Sequence, residues 1–69
     1  MIRLTDSEKA VLKFVNRYMV VNNDCPSNKE IGGEVGLSSV YVYKILQKLA
    51  QAGFIEYDGS RDIEVLWLP

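Results

Sequence analysis

Val35-Gly36-Leu37-Ser38-Ser39-Val40-Tyr41-Val42-Tyr43-Lys44-Ile45-Leu46-Gln47-Lys48-Leu49-Ala50-Gln51-Ala52-Gly53-Phe54-Ile55 is the stretch that decides the architecture. Gly36 is placed to stop one helix and Ser38 to cap the next, because a serine hydroxyl accepts from a first-turn N–H. With Val42 as origin and a rotation of ~100° per residue, Ile45, Leu46 and Leu49 fall within ~60° of it. They predict one buried stripe. Val40, Lys44, Gln47 and Gln51 fall on the opposite face, flanked by Tyr41, Tyr43 and Lys48. Gly53 ends the segment as a left-handed cap, so the helix is expected over about 39–52.

Working back from Gly36, Ser27-Asn28-Lys29-Glu30 reads as a capping box, a hydroxyl residue three positions before a glutamate. It opens a short helix carrying Ile31 and Val35. Gly32-Gly33 inside that helix costs about 1 kcal/mol per glycine relative to alanine. Either another helix backbone approaches closely there, or the helix is frayed. Further back, Thr5-Asp6-Ser7-Glu8 is a second capping box. Val11, Phe14, Val15 and Tyr18 follow it at helical spacing, widened by Leu12 and Met19. That helix is expected over about 6–20, ending at Asn22-Asn23-Asp24 ahead of Pro26.

Forward from Gly53 the period changes. Phe54-Ile55-Glu56-Tyr57 and Ile63-Glu64-Val65-Leu66-Trp67-Leu68 are rich in β-branched and aromatic residues. Asp58-Gly59-Ser60-Arg61 between them is a hairpin turn signal, and Trp67 is expected to cover the junction of hairpin and helices. Three helices then a two-stranded hairpin make a mainly α (α+β) winged helix-turn-helix, read as a single domain over 1–69.

Composition sets the outer bounds. With 69 residues, no histidine and one cysteine, the chain excludes disulfides within itself, Cys/His zinc sites and any triad with an imidazole base. No nucleophile, base and oxyanion donor can be assembled, so neither an enzyme nor a cofactor is expected. Cys25 reads as a small apolar loop residue. No apolar run approaches the ~20 residues of a membrane span, and no secretory signal is visible, so a cytoplasmic protein without membrane contact is expected. The net charge of −1 and pI near 5.2 argue against nucleic acid, whose binders are usually basic. The distribution argues less strongly. Residues 38–52 contain Lys44 and Lys48 and no carboxylate, a local +2 that leaves −3 on the rest.

The chain from Leu4 to Leu68 resembles the DNA-binding domain of LexA-type repressors, and more generally winged helices of the MarR and GntR kinds. The resemblance is carried by Leu4-Thr5, Pro26-Ser27 with Glu30-Ile31, Val35-Gly36-Leu37-Ser38-Ser39, and Leu46, Leu49 and Gly53-Phe54-Ile55. The third helix is one residue shorter than in typical LexA repressors, and Gly32-Gly33 stands where alanine or a larger residue is usual. These 69 residues hold no self-cleaving protease domain, so autoproteolysis is not expected to carry over to them. The expectation is an excised domain or a minimal regulator of the size that phages and plasmids encode.

The resemblance implies a sequence-specific regulator of transcription, a repressor, with the third helix in the major groove and the wing over 54–68 on the backbone or minor groove. Ser38 and Ser39 lie at a helix N-terminus, which favours a phosphate, although both could act only as caps. Tyr41, Tyr43 and Lys44 project from the early turns, where side chains reach base edges. Val40 is suited to a thymine methyl and Gln47 to adenine. Lys48 flanks them, and Arg61 stands at the wing tip. The tyrosines could instead pack against the second helix or the hairpin. Only Lys44, Lys48, Arg61 and Lys29 are useful cations, so two protomers on a two-fold site are expected, with Leu12, Met19, Val20 and Val21, or the strand at 65–68, as the surface between them. The rival reading is an acidic winged helix whose tyrosine-rich face binds another regulator or an enzyme.

Overall fold

Each helix begins where a hydroxyl accepts a hydrogen bond from its own first turn. A computed structural model describes residues 4–57 and 63–66, with α1 at Asp6–Asn22, α2 at Asn28–Val35, α3 at Ser39–Gln51, β1 at Ile55–Tyr57 and β2 at Ile63–Val65. Thr5 and Glu8 close a reciprocal capping box on α1, and Ser27 and Glu30 close another on α2. Ser38 caps α3 alone, accepting from the Tyr41 N–H at 3.2 Å. In both boxes the second glutamate oxygen reaches a different helix. Glu30 Oε2 accepts from the Tyr18 hydroxyl at 3.1 Å, tying α2 to α1. Glu8 Oε2 meets the Lys48 ammonium at 3.0 Å, tying α1 to α3.

α1 runs two residues beyond the expected 20. Asn23, at φ 53, takes the left-handed turn that ends it, and its N–H donates to the Met19 carbonyl at 2.9 Å. Asparagine tolerates that region better than most residues, so the last turn of helix continues up to it. Val20 and Val21 are thereby left on an exposed surface, 76% and 74% accessible. Leu12 is buried in the core and Met19 packs against it. Leu12 is therefore withdrawn from the apolar surface expected between protomers.

Between α2 and α3 the chain turns sharply at Gly36, whose φ is 76. The N–H groups of Gly36 and Leu37 both donate to the Gly32 carbonyl, at 2.8 and 2.9 Å. This fold-back drives the Leu37 carbonyl oxygen onto the space a side chain at Gly32 would fill. Close approach is thus the reason for Gly32, but the approaching group is the turn itself, not a neighbouring helix. Gly33 has nothing within 4 Å of its would-be Cβ. The two glycines should therefore respond oppositely to alanine. Gly32→Ala should destabilise the domain, because rigid backbone must shift. Gly33→Ala should stabilise it by up to about 1 kcal/mol through helix propensity, or ~4–8 °C in a domain of this size. Thermal melts read by circular dichroism would check the signs, and a stabilised Gly32→Ala would refute the contact.

The core is built from one stripe of each element. Val11, Leu12 and Val15 of α1, Ile31 of α2, and Val42, Ile45, Leu46 and Leu49 of α3 are buried together with Phe54, Ile55 and Ile63. The α3 stripe is the one its periodicity predicts. Gly53, at φ 86, turns the chain out of α3 one residue after the Ala52 cap, and the Phe54 N–H donates back to Leu49 at 3.0 Å. The strands pair antiparallel with Ile55 opposite Val65, Glu56 opposite Glu64 and Tyr57 opposite Ile63. Among the described residues the ladder covers 55–57 and 63–65, and the Leu66 N–H donates to the Phe54 carbonyl at 2.9 Å. Cys25 is more than the apolar filler expected. Its Sγ lies 3.3 Å from both the N–H and the carbonyl of Ile63, pinning β2 to the loop before α2. The turn at 58–62, with Arg61, and Trp67 fall outside the described residues.

Candidate nucleic-acid interface

α3 has no acidic residue in its first turn and turns its uncovered side away from the core. Val40 and Tyr41 are 66% and 51% accessible, and Ser38, Ser39 and Lys44 are exposed beside them. Ser38 is engaged as the cap through its hydroxyl. The Tyr41 amide is taken by that cap, and by helix geometry the Ser39 and Val40 amides before it have no acceptor within the helix. A concave surface of about 570 Å³ runs between this face and the start of α1, lined by Thr5, Glu8, Ser38, Val40, Tyr41, Lys44, Ile45 and Lys48. Five of the nine residues expected to contact DNA therefore share one surface: Ser38, Val40, Tyr41, Lys44 and Lys48.

Ser39 is exposed beside them, Arg61 lies outside the described residues, and Tyr43 and Gln47 are arranged differently. Tyr43 packs edge-on against Tyr57 of β1, ring centroids 6.1 Å apart, and so supports the wing. Its hydroxyl accepts from Gln47 Nε2 at 2.9 Å, which ties the two side chains one turn apart along α3. Tyr43 thus packs on the hairpin, while Tyr41 is 51% accessible and lines the concave surface. On the hairpin, Glu56 and Glu64 face one another on the exposed side. Like charges so placed weaken pairing and make that side unsuited to a polyanion.

Sequence reasoning missed Glu8 as part of this surface. It reads as a helix cap, and its N3 position is legible, but the side chain is 5% accessible and lies against Lys48, forty residues on. Oε1 accepts the Thr5 N–H at 2.8 Å, while Oε2 takes the Lys48 ammonium. Burial pushes the Glu8 carboxyl up, but the Thr5 N–H and the Lys48 ammonium outweigh burial and hold it below its ordinary value of 4.5. A carboxyl lowered by folding stabilises the fold above its unfolded value and loses that contribution as pH falls through the folded one. Glutamine keeps the capping box and removes the charge. Wild type should thus melt above Glu8→Gln at pH 7, and the gap should shrink on acidification through pH ~4. A gap independent of pH would contradict the ion pair.

Three helices, a tight turn before an uncovered third helix, and a hairpin packed on that helix define a winged helix-turn-helix. Within that class, residues 1–62 match the family profile described as the LexA DNA binding domain, and the chain belongs to that family. It is also similar to the LexA repressor of Pelotomaculum thermopropionicum, with 42% identity over 66 residues. The match covers 91% of this chain and 32% of that repressor, so the chain spans about a third of the relative's length.

Proposed function

We propose that residues 1–69 form one domain that binds double-stranded DNA sequence-specifically and acts as a transcriptional repressor, the similar protein being named a repressor. Its function is binding rather than catalysis, exercised in the cytoplasm. The observation that carries this is the exposed α3 face, free of carboxylates of its own and continuous with the concave surface below it. In this reading α3 enters the major groove. Val40 and Tyr41 meet base edges, Lys44 meets a phosphate or a guanine, and the helix start with Ser38 and Ser39 meets the backbone. Gln47 and Tyr43 act as a linked pair at the rim, and Arg61 serves the wing.

Few cations face this surface, so two copies on a two-fold site supply the phosphate contacts that one copy lacks. Exposed Val20 and Val21 on α1, or exposed Leu66 after β2, offer apolar surface to such a pairing. The test is duplex binding followed by fluorescence anisotropy across a salt series, with Lys44→Glu as the disabling variant. Affinity that falls steeply with salt supports the reading. Binding indifferent to salt and to Lys44→Glu overturns it.

A further inference from the structure

Lys48 lines the concave surface beside Lys44, yet its charge is not free. Its ammonium lies 3.0 Å from a carboxylate whose side chain is 5% accessible, while the lysine itself is 68% accessible. The other Glu8 oxygen is held by the Thr5 N–H at 2.8 Å, and the Glu8 N–H is held by the Thr5 hydroxyl at 3.2 Å. A side chain fixed at both ends of a capping box cannot swing away, so the mobile partner is the lysine. It must be drawn to the buried anion, because a carboxylate left unpaired in such a position is costly. The pair carries no net charge toward the groove.

We propose that Glu8 is a positioning and affinity-setting residue of the DNA-reading helix: it holds Lys48 across the gap between α1 and α3 and withholds that cation from phosphate. The inference rests on the DNA reading of α3 given above. It reverses the role expected for Lys48, which becomes a tie between helices while Lys44 carries the phosphate contact. It also gives an acidic chain a built-in limit on affinity for DNA of arbitrary sequence, since phosphate neutralisation is the sequence-independent part of binding.

The experiment measures affinity for a short duplex of mixed sequence as a function of salt at pH 7. The proteins are wild type, Lys48→Gln, Glu8→Gln and the double variant, each with its thermal melt. Glutamine at position 8 preserves the capping box. The expected result is equal slopes of log K against log salt for wild type and Lys48→Gln. Glu8→Gln should bind more tightly and be steeper by about 0.9 per bound copy, the increment for one more neutralised phosphate, and the double variant should return to the wild-type slope. A Lys48→Gln slope shallower by about 0.9 per bound copy, or a folded Glu8→Gln with the wild-type slope, would overturn the inference. If Glu8→Gln does not fold, the Lys48→Gln slope decides alone. Wild-type protein showing no salt-dependent duplex binding would remove the DNA reading and this inference together, whereas binding with the wrong slopes removes only the inference.

Discussion

Leu46→Asp should leave the chain without a cooperative thermal transition at pH 7. Leu46 is fully buried in the α3 stripe, among Val42, Ile45 and Leu49 and the α1 residues packed on them. A domain of 69 residues has roughly 3–10 kcal/mol of stability to lose. Truncating a buried leucine to alanine alone costs about 2–5 kcal/mol. An aspartate adds a carboxylate with no cation among its core neighbours, whose burial or forced protonation costs several kcal/mol more. The sum exceeds what a chain this short can hold. Far-UV circular dichroism at 25 °C should show the loss of helix, and an unperturbed melt would mean that α3 packs through another face. Leu46→Ala should remain folded with a lowered midpoint, which separates lost packing from buried charge.

Lys44→Glu should do the opposite, removing function with the fold intact. The side chain is exposed, lines the concave surface and, among the described residues, has no ion-pair partner. Reversing it therefore breaks nothing internal, and surface changes of this kind usually move stability by less than ~0.5 kcal/mol. At a DNA surface the same change removes a charged hydrogen bond worth about 1.5–3 kcal/mol and adds repulsion from the phosphate. A weakening of about 100-fold is expected for one copy, since ~1.4 kcal/mol is tenfold, and more for two copies on one site. The salt slope should also fall, by about 0.9 per copy. Unchanged duplex affinity would exclude Lys44 from the interface. Retained binding of a protein partner, with no DNA binding by wild type, would favour the acidic interaction module instead.

The contrast between the two lysines of α3 shows what a linear reading can and cannot reach. Helical periodicity places Lys44 on the face opposite the core and Lys48 on its flank, and nothing in that spacing shows that one of the two charges is engaged. What separates them is Glu8, which belongs to another element and enters the surface only because α1 packs across α3. Tyr41 and Tyr43 are divided in the same way. Both lie on the flanks of the buried stripe, but only Tyr43 comes within reach of Tyr57 when the hairpin folds back.

Local chemistry settled the rest in advance. Hydroxyl–glutamate pairs three apart, a glycine at each sharp turn and apolar residues at helical spacing depend on neighbours within about one or two helical turns, so they can be read along the chain. They specified three helices, a hairpin and the buried stripe of α3. Folding decided which charges remained available, why Gly32 differs from Gly33, and why Cys25 faces β2. Those outcomes are set by distances between elements far apart in sequence, and a Coulombic pair or a steric contact acts only across a few ångströms that no spacing rule encodes.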